Sequence, residues 1–355
     1  MRRACCVAVL MLAVATDPVA AQTAFYQGKQ IKVLVGFSPG GGTDLYGRVI
    51  AEGLGRHIEG RPNVIVQHMP GAGSVIAMNT YANKVPRDGL TVLIGTGQLL
   101  MRILLGLDGA RANISDFEVL VATPMGRITY ASPSVGIRSA RDILSPRERL
   151  ILGVPEVMST IDAVLGLTVL KANVRPVIGY PGKGDVRLAF LRNEVNVDSQ
   201  ITPIYEQSIR PTVREGKAIP LFAQGFMDGD ILVRDPAAPE VPSVAEVYRE
   251  IHGADPAGPS WESYKAMVRA VGNSGKNLMI HGDAPAAAKE SLRRAVEAMV
   301  KDAAFVKMSE SVLEGYGFNT GERLAANIAA AGAISPESVA WLQELLSRDF
   351  RVKFH

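Results

Sequence analysis

The sequence predicts an α/β protein in which short strands, glycine-rich loops and amphipathic helices follow one another in series. Three observations carry this: short apolar runs recur from residue 30 onward, glycine-rich corners follow them, and helix-period patterns come after the corners. Such units in series imply mainly parallel strands with helices on the faces of the sheet.

Taken in order, residues 31–37, 64–67 and 91–95 read as strands, running into the loops SPGGGT, HMPGAGS and GTGQ. The first helix spans residues 45–58, where Leu45, Val49, Leu54 and Ile58 fall near one face. The pattern pauses at 106–125. It restarts with strands at 150–154, 174–178 and 195–199, followed by PEVMST, GYPGKGD and QITP, and with a strand at 218–223. MDGDILVRDPAAPEVPS then reads as loop, and the remainder as mainly helical. Residues 284–305 are amphipathic, and Ser335-Pro336 offers an N-cap followed by proline at the first helical position. Two α/β units are expected, each presenting loops from the C-terminal ends of its strands.

The chain has 355 residues, room for two domains, and its 47% hydrophobic and 21% charged content suits a packed core. A net charge of +3 is too small to imply a nucleic-acid partner or an anionic membrane surface. Residues 1–21 have the parts of a secretory signal: Arg2 and Arg3, an apolar segment over residues 7–15, and the small-residue site Val19-Ala20-Ala21. Both cysteines, Cys5 and Cys6, lie inside it, so the mature chain is expected to have no disulfide, zinc–thiolate site or cysteine nucleophile. An exported, monomeric protein without stable membrane insertion is expected, with no cofactor and no metal.

The stretch GFSPGGGTD, residues 36–44, half-fits two catalytic motifs. Its G-x-S-x-G spacing would make Ser38 an esterase nucleophile, but the next residue, Pro39, has no N–H to give an oxyanion hole. A phosphate loop would need lysine where Gly42 stands. What both motifs share is a glycine turn feeding a helix, which exposes amides beside a partial positive charge. SPGGGTD and PGAGS supply two such corners on one sheet edge. Tight turns alone would explain either corner; two in one domain favour anion binding.

FSPGGGTD, then MPGAGS, then PRDGLTVLIG, in that order after a signal peptide, resembles the periplasmic solute-binding receptors of tripartite tricarboxylate transporters, the Bug-type receptors. The likeness continues through Ile178–Gly184 and Pro242–Glu246 and is clear over roughly residues 26–250. It implies a two-lobed periplasmic-binding-protein fold of type II-like design, with the ligand cleft between the lobes. Lobe 1 would comprise residues 22–124 plus 225–355, lobe 2 residues 125–224, and the hinge would lie near 122–127 and 222–227. It implies capture of a small organic carboxylate by lobe closure and delivery to membrane permease subunits, with no catalytic residues. A sensory receptor feeding a membrane kinase is the alternative role.

The candidate ligand-binding set takes Ser38, Pro39, Gly40, Gly41, Gly42, Thr43 and Asp44 from the first corner and Gly71, Ala72, Gly73 and Ser74 from the second. Thr96, Ser159, Thr160 and Ser199 add hydroxyls, and the resemblance adds Tyr180, Gly182, Lys183 and Gly184. Lys183 either bridges to the ligand or points into water. Asp44, Asp162 and Asp185 sit near helix starts. If they cap their own helices a plain dicarboxylate fits; if any faces inward, the ligand carries an amine or is protonated. The chain departs from the family at residues 157–162 and in having Asn196 and Gln200 where relatives have aspartates.

Overall fold

The alternation of apolar runs and glycine corners resolves into two sheets. The computed structural model describes residues 24–107, 109–313 and 315–354, so the expected signal at 1–21 lies outside the described residues. β1 (Gln30–Val35), β2 (Asn63–His68) and β3 (Thr91–Thr96) run parallel, each leading into a helix: α1 (Gly42–His57), α2 (Val75–Lys84) and α3 (Gly97–Leu104). β4 (Phe117–Thr123) completes this stretch, and the chain crosses through Pro124, Met125 and Gly126 to the second sheet. That sheet contains β5 (Arg127–Ala131), β6 (Leu150–Val154), β7 (Val174–Ile178), β8 (Val197–Ile201) and β9 (Ile219–Ala223), in the order β7-β6-β8-β5-β9. α4 (Ile161–Val169) follows β6, and α5 (Lys183–Leu191) follows β7.

After the hairpin of β10 (Phe226–Asp228) and β11 (Ile231–Val233), the chain returns to the first sheet with β12 (Lys276–His281) and β13 (Asn319–Thr320). The first sheet has the order β13-β4-β12-β3-β1-β2. β12 is antiparallel to both β3 and β4, so β4 runs with β1, β2 and β3. The fold is thus α/β and two-lobed, with a mixed sheet in each lobe in which most strands share one direction.

Strands covered on both faces need apolar side chains on both. Val33, Leu34 and Val35 of β1 are all buried, as is every residue of β12. One cluster joins α2, α3 and α4 to the helix Pro259–Met267 and the last helix, Pro336–Phe350. That last helix, placed in the first lobe by the sequence reading, also packs against β7 of the second sheet. Gly97 permits one close approach: a methyl group there would stand 2.3 Å from the Ala270 carbonyl oxygen.

The expected strands at 150–154 and 174–178 fall as read, and Ser335 caps the last helix by accepting from the Ser338 N–H. The expected helix at 284–305 is two helices, Ala286–Lys301 and Ala303–Leu313, because Asp302 is extended and caps the second through the Ala304 N–H. Residues 106–125 contain β4, the loop-like stretch after 223 contains a hairpin, and the helical remainder contains β12.

Candidate functional site

The site follows from strand direction. Parallel strands present their C-terminal ends, and the helices after them, on one edge. β12 runs the other way, so its first residue arrives at that edge: Lys276 stands opposite Thr96 at the end of β3 and Thr123 at the end of β4. Beside it α1 begins at Gly42, with Gly41 as N-cap and no side chain capping its amides. A methyl group on Gly42 would stand 3.8 Å from Lys276 Nζ.

A cavity of about 300 Å³ opens there, between the two sheets. Phe37, Thr43, Gly73, Thr96, Gln98, Arg102, Gly275 and Lys276 line it from the first sheet's side, and Met125 from the crossover. Glu156 and Ser159 line it from the second sheet's side. The volume is at the small end of ligand pockets, suiting a small organic molecule. Thr96 caps α3 by accepting from the Leu99 N–H (3.2 Å).

Of the sequence-derived set, Thr43, Gly73, Thr96 and Ser159 meet in this cavity. Ser38, Pro39, Gly40, Gly41 and Gly42 form the exposed corner leading to it. One amide of that corner is already taken: the Gly40 N–H donates to Asp44 Oδ2 at 2.7 Å. Asp44 is buried, with Arg48 Nε at 3.1 Å and His68 Nε2 at 2.7 Å, and does not line the cavity. Burial alone would raise its pKa, but the Gly40, His68 and Arg48 donors outweigh burial and hold it at about 2.

At the second corner Gly71, Ala72, Gly73 and Ser74 all have positive φ, at 142°, 48°, 60° and 76°. Ala72 and Ser74 are strained there, and such strain concentrates at functional sites. Ser74 is fully buried and its hydroxyl has no hydrogen-bond partner; a methyl group on Gly36 would stand 1.9 Å from Oγ. The hydroxyl read as a ligand donor therefore packs inward.

The remaining second-lobe residues are engaged with one another. Lys183 neither faces water nor lines the cavity; its Nζ pairs with the buried Asp198 at 2.9 Å. Asp198 also accepts from the Tyr130 hydroxyl and the Ser199 N–H. Ser199 donates its hydroxyl to Asp162. Thr160 is buried, the Ser159 hydroxyl donates to the Glu156 carbonyl (2.7 Å), and Gly184 and Asp185 are exposed. Tyr180 is half-buried, its pKa raised by that burial, and with Gly182 it stands outside the cavity. None of the three helix-start aspartates lines the cavity.

Sequence reasoning missed Arg102, Glu156 and Lys276, the charged groups of the cavity. Arg102 had a signal: it is a lone charge in an otherwise apolar helix, GQLLMRIL. Its Nη2 meets Glu156 Oε1 at 2.8 Å across the cavity.

Comparison with known proteins agrees with this fold. BugT of Bordetella pertussis is 39% identical over 90 residues, 25% of this chain. That match spans about a quarter of BugT's own length (26%). The chain is similar to the Bug-type receptors. No protein-family model matches it. A TctC solute-binding protein from Polaromonas superposes with a TM-score of 0.66 at 18% identity, over 91% of this chain and 99% of that one. An R. palustris protein solved with adipate superposes with a TM-score of 0.60 at 20% identity, over 91% and 97%. The structural likenesses establish the two-lobed fold.

Proposed function

We propose that the chain is an extracytoplasmic solute-binding protein that captures a small organic carboxylate between its lobes and passes it to the permease of a tripartite transporter. The observation that carries this is the cavity itself: the uncapped start of α1, Lys276 and Arg102 converge on it from one side, and the turn 157–159 faces them from the other. The adipate of the R. palustris neighbour makes dicarboxylates the first class to test. Because Asp44, Asp162 and Asp185 stay out of the cavity, the guest needs no amine to offset them.

In this reading residues 22–124 plus 225–355 and residues 125–224 are the lobes, and they move about the crossovers near 122–127 and 222–227. Thr43, Gly73, Thr96 and Ser159 contact the guest. Tyr180, Gly182, Lys183, Gly184 and Ser199 shape the closing lobe. Residues 1–21 direct export to the periplasm. Closure shifts with ligand only by the difference in affinity between open and closed forms. The cycle involves no covalent chemistry.

Thermal unfolding against adipate, citrate, benzoate and glutamate tests the proposal. A ligand at a hundred times its Kd adds about 2.7 kcal/mol of stability. A rise in Tm with at least one of the four is expected, and no turnover of a chromogenic ester. A flat response to all four, from the wild type and from Glu156→Gln alike, sinks the carboxylate reading.

A further inference from the structure

We propose that Glu156 is a tethered stand-in for the guest: its carboxylate fills the place where a carboxylate of the bound solute meets Arg102 and the amides of Met158 and Ser159. The inference rests on the carboxylate reading of the cavity and adds what competes for that site.

Three donors converge on this one side chain. Arg102 Nη2, from the first sheet's side, lies 2.8 Å from Oε1. The Met158 N–H donates to Oε1 (3.1 Å) and the Ser159 N–H to Oε2 (3.2 Å), both from the second sheet's side. A guanidinium and two amides drawn from opposite walls of a cleft are what a captured carboxylate would need. Here the chain provides that carboxylate itself.

The two partners are held unequally. The Arg102 side chain is 17% exposed, lies between the buried Met101 and Ile103 in sequence, and passes close to the second corner, where a methyl group on Gly73 would stand 3.6 Å from Nη2. The Glu156 side chain is 48% exposed and can turn into water. The turn does not depend on it. Ser159 N–H donates to the Glu156 carbonyl (3.1 Å), Thr160 N–H to the Val157 carbonyl (3.0 Å), and the Ser159 hydroxyl to the Glu156 carbonyl. Exchanging one carboxylate for another leaves the charge at Arg102 unchanged. With Thr43 and Lys276 lining the same cavity, a guest with two carboxylates can meet Arg102 with one and the start of α1 with the other. Part of its binding free energy then goes into expelling Glu156.

Calorimetric titration of the whole chain with adipate, citrate, benzoate and glutamate tests this. Glu156→Gln keeps an oxygen for the two amides and drops the charge that competes. It is expected to tighten binding about threefold, the scale of a half-exposed ion pair. Arg102→Gln is expected to weaken binding about tenfold or more, and Glu156→Gln should give no tightening in that background. Should Arg102→Gln fail to fold, Arg102→Lys, which keeps the charge without the fork, is expected to show a smaller loss. Unchanged or weaker binding by Glu156→Gln overturns the inference while the carboxylate reading stands. Silence from all four compounds with both wild type and Glu156→Gln removes the reading and the inference together. Binding seen with Glu156→Gln alone supports both.

Discussion

Each sheet accepts one internal strand that runs against its neighbours, and in each the strand begins with a buried base. Lys276 opens β12 and Arg127 opens β5, each 6% exposed. Antiparallel insertion carries both to the edge where the other strands end: Lys276 opposite Thr96 and Thr123, Arg127 opposite Ile201. From there they diverge. Arg127 Nη1 donates to the Ser159 carbonyl (3.0 Å) and lies 3.8 Å from Asp162 Oδ1, so it braces the turn that faces the cavity. Lys276 donates to the Val312 carbonyl (3.4 Å) and itself lines the cavity beside α1. The same topological device brings a charge to the cavity wall in one lobe and a strut behind the facing turn in the other. Position in the sheet alone does not say which.

The contrast breaks most visibly at Lys183, the second-lobe base that pairs with the buried Asp198. Lys183→Met leaves the Asp198 carboxylate buried with only neutral donors. We expect a stability loss of about 3 kcal/mol in urea with affinity for any bound carboxylate unchanged. A loss of affinity with stability intact would make Lys183 a ligand residue after all. On the first lobe, Asp44→Asn should cost about 2 kcal/mol at neutral pH, since the carboxylate is held at about 2 against 3.8 for a free one. The sign is that of a depressed acid: the stabilisation is complete above about pH 4 and disappears as pH falls through 2. The gap in urea midpoint between wild type and Asp44→Asn should therefore narrow below pH 4. A gap constant from pH 7 to 3 would place the effect in shape rather than charge.

The parallel scaffold was legible because each of its units carries its own punctuation. VLVGFSPGGGTD contains strand, corner and helix start together, and the observed β1 and α1 fall within a few residues of the reading. β4, β5 and β12 lack that punctuation. FEVLVAT runs through Pro124-Met125-Gly126 directly into RITYA, with no helix between the two strands. KNLMIH becomes a strand only because β3 and β4, far away in sequence, leave a slot between them. The site divides the same way. Gly73 and Thr43 are local and were read, while Gly275 was not; Lys276 is buried by that insertion, and Arg102 is matched by Glu156 across the cavity. The packing of Ser74 against Gly36 and the pairing of Lys183 with Asp198 were not legible, because a hydroxyl at a helix start and a lysine beside a glycine loop carry no record of what packs on them.

Lys276→Gln sharpens the comparison on the ligand side. The variant keeps a polar group at the α1 start but loses the charge, and affinity is expected to fall about tenfold, some 1.4 kcal/mol. Arg127→Gln, its structural counterpart, should lower stability and leave affinity within about threefold. Equal affinity losses at both would mean that the two bases share one role.

The smallest expected effect belongs to Ser74→Ala. The Ser74 hydroxyl is fully buried against Gly36 with no partner, so removing it relieves an unsatisfied polar group and leaves only a small void. At φ 76° alanine bears much the same backbone strain as serine. The two terms nearly offset, and stability should stay within about 0.5 kcal/mol of wild type. Affinity should not change, because the oxygen does not reach the cavity. If Ser74→Ala instead weakened carboxylate binding tenfold, the second corner would have to turn its hydroxyl outward on closure. The strained run Ala72-Gly73-Ser74 would then be a moving part of the site.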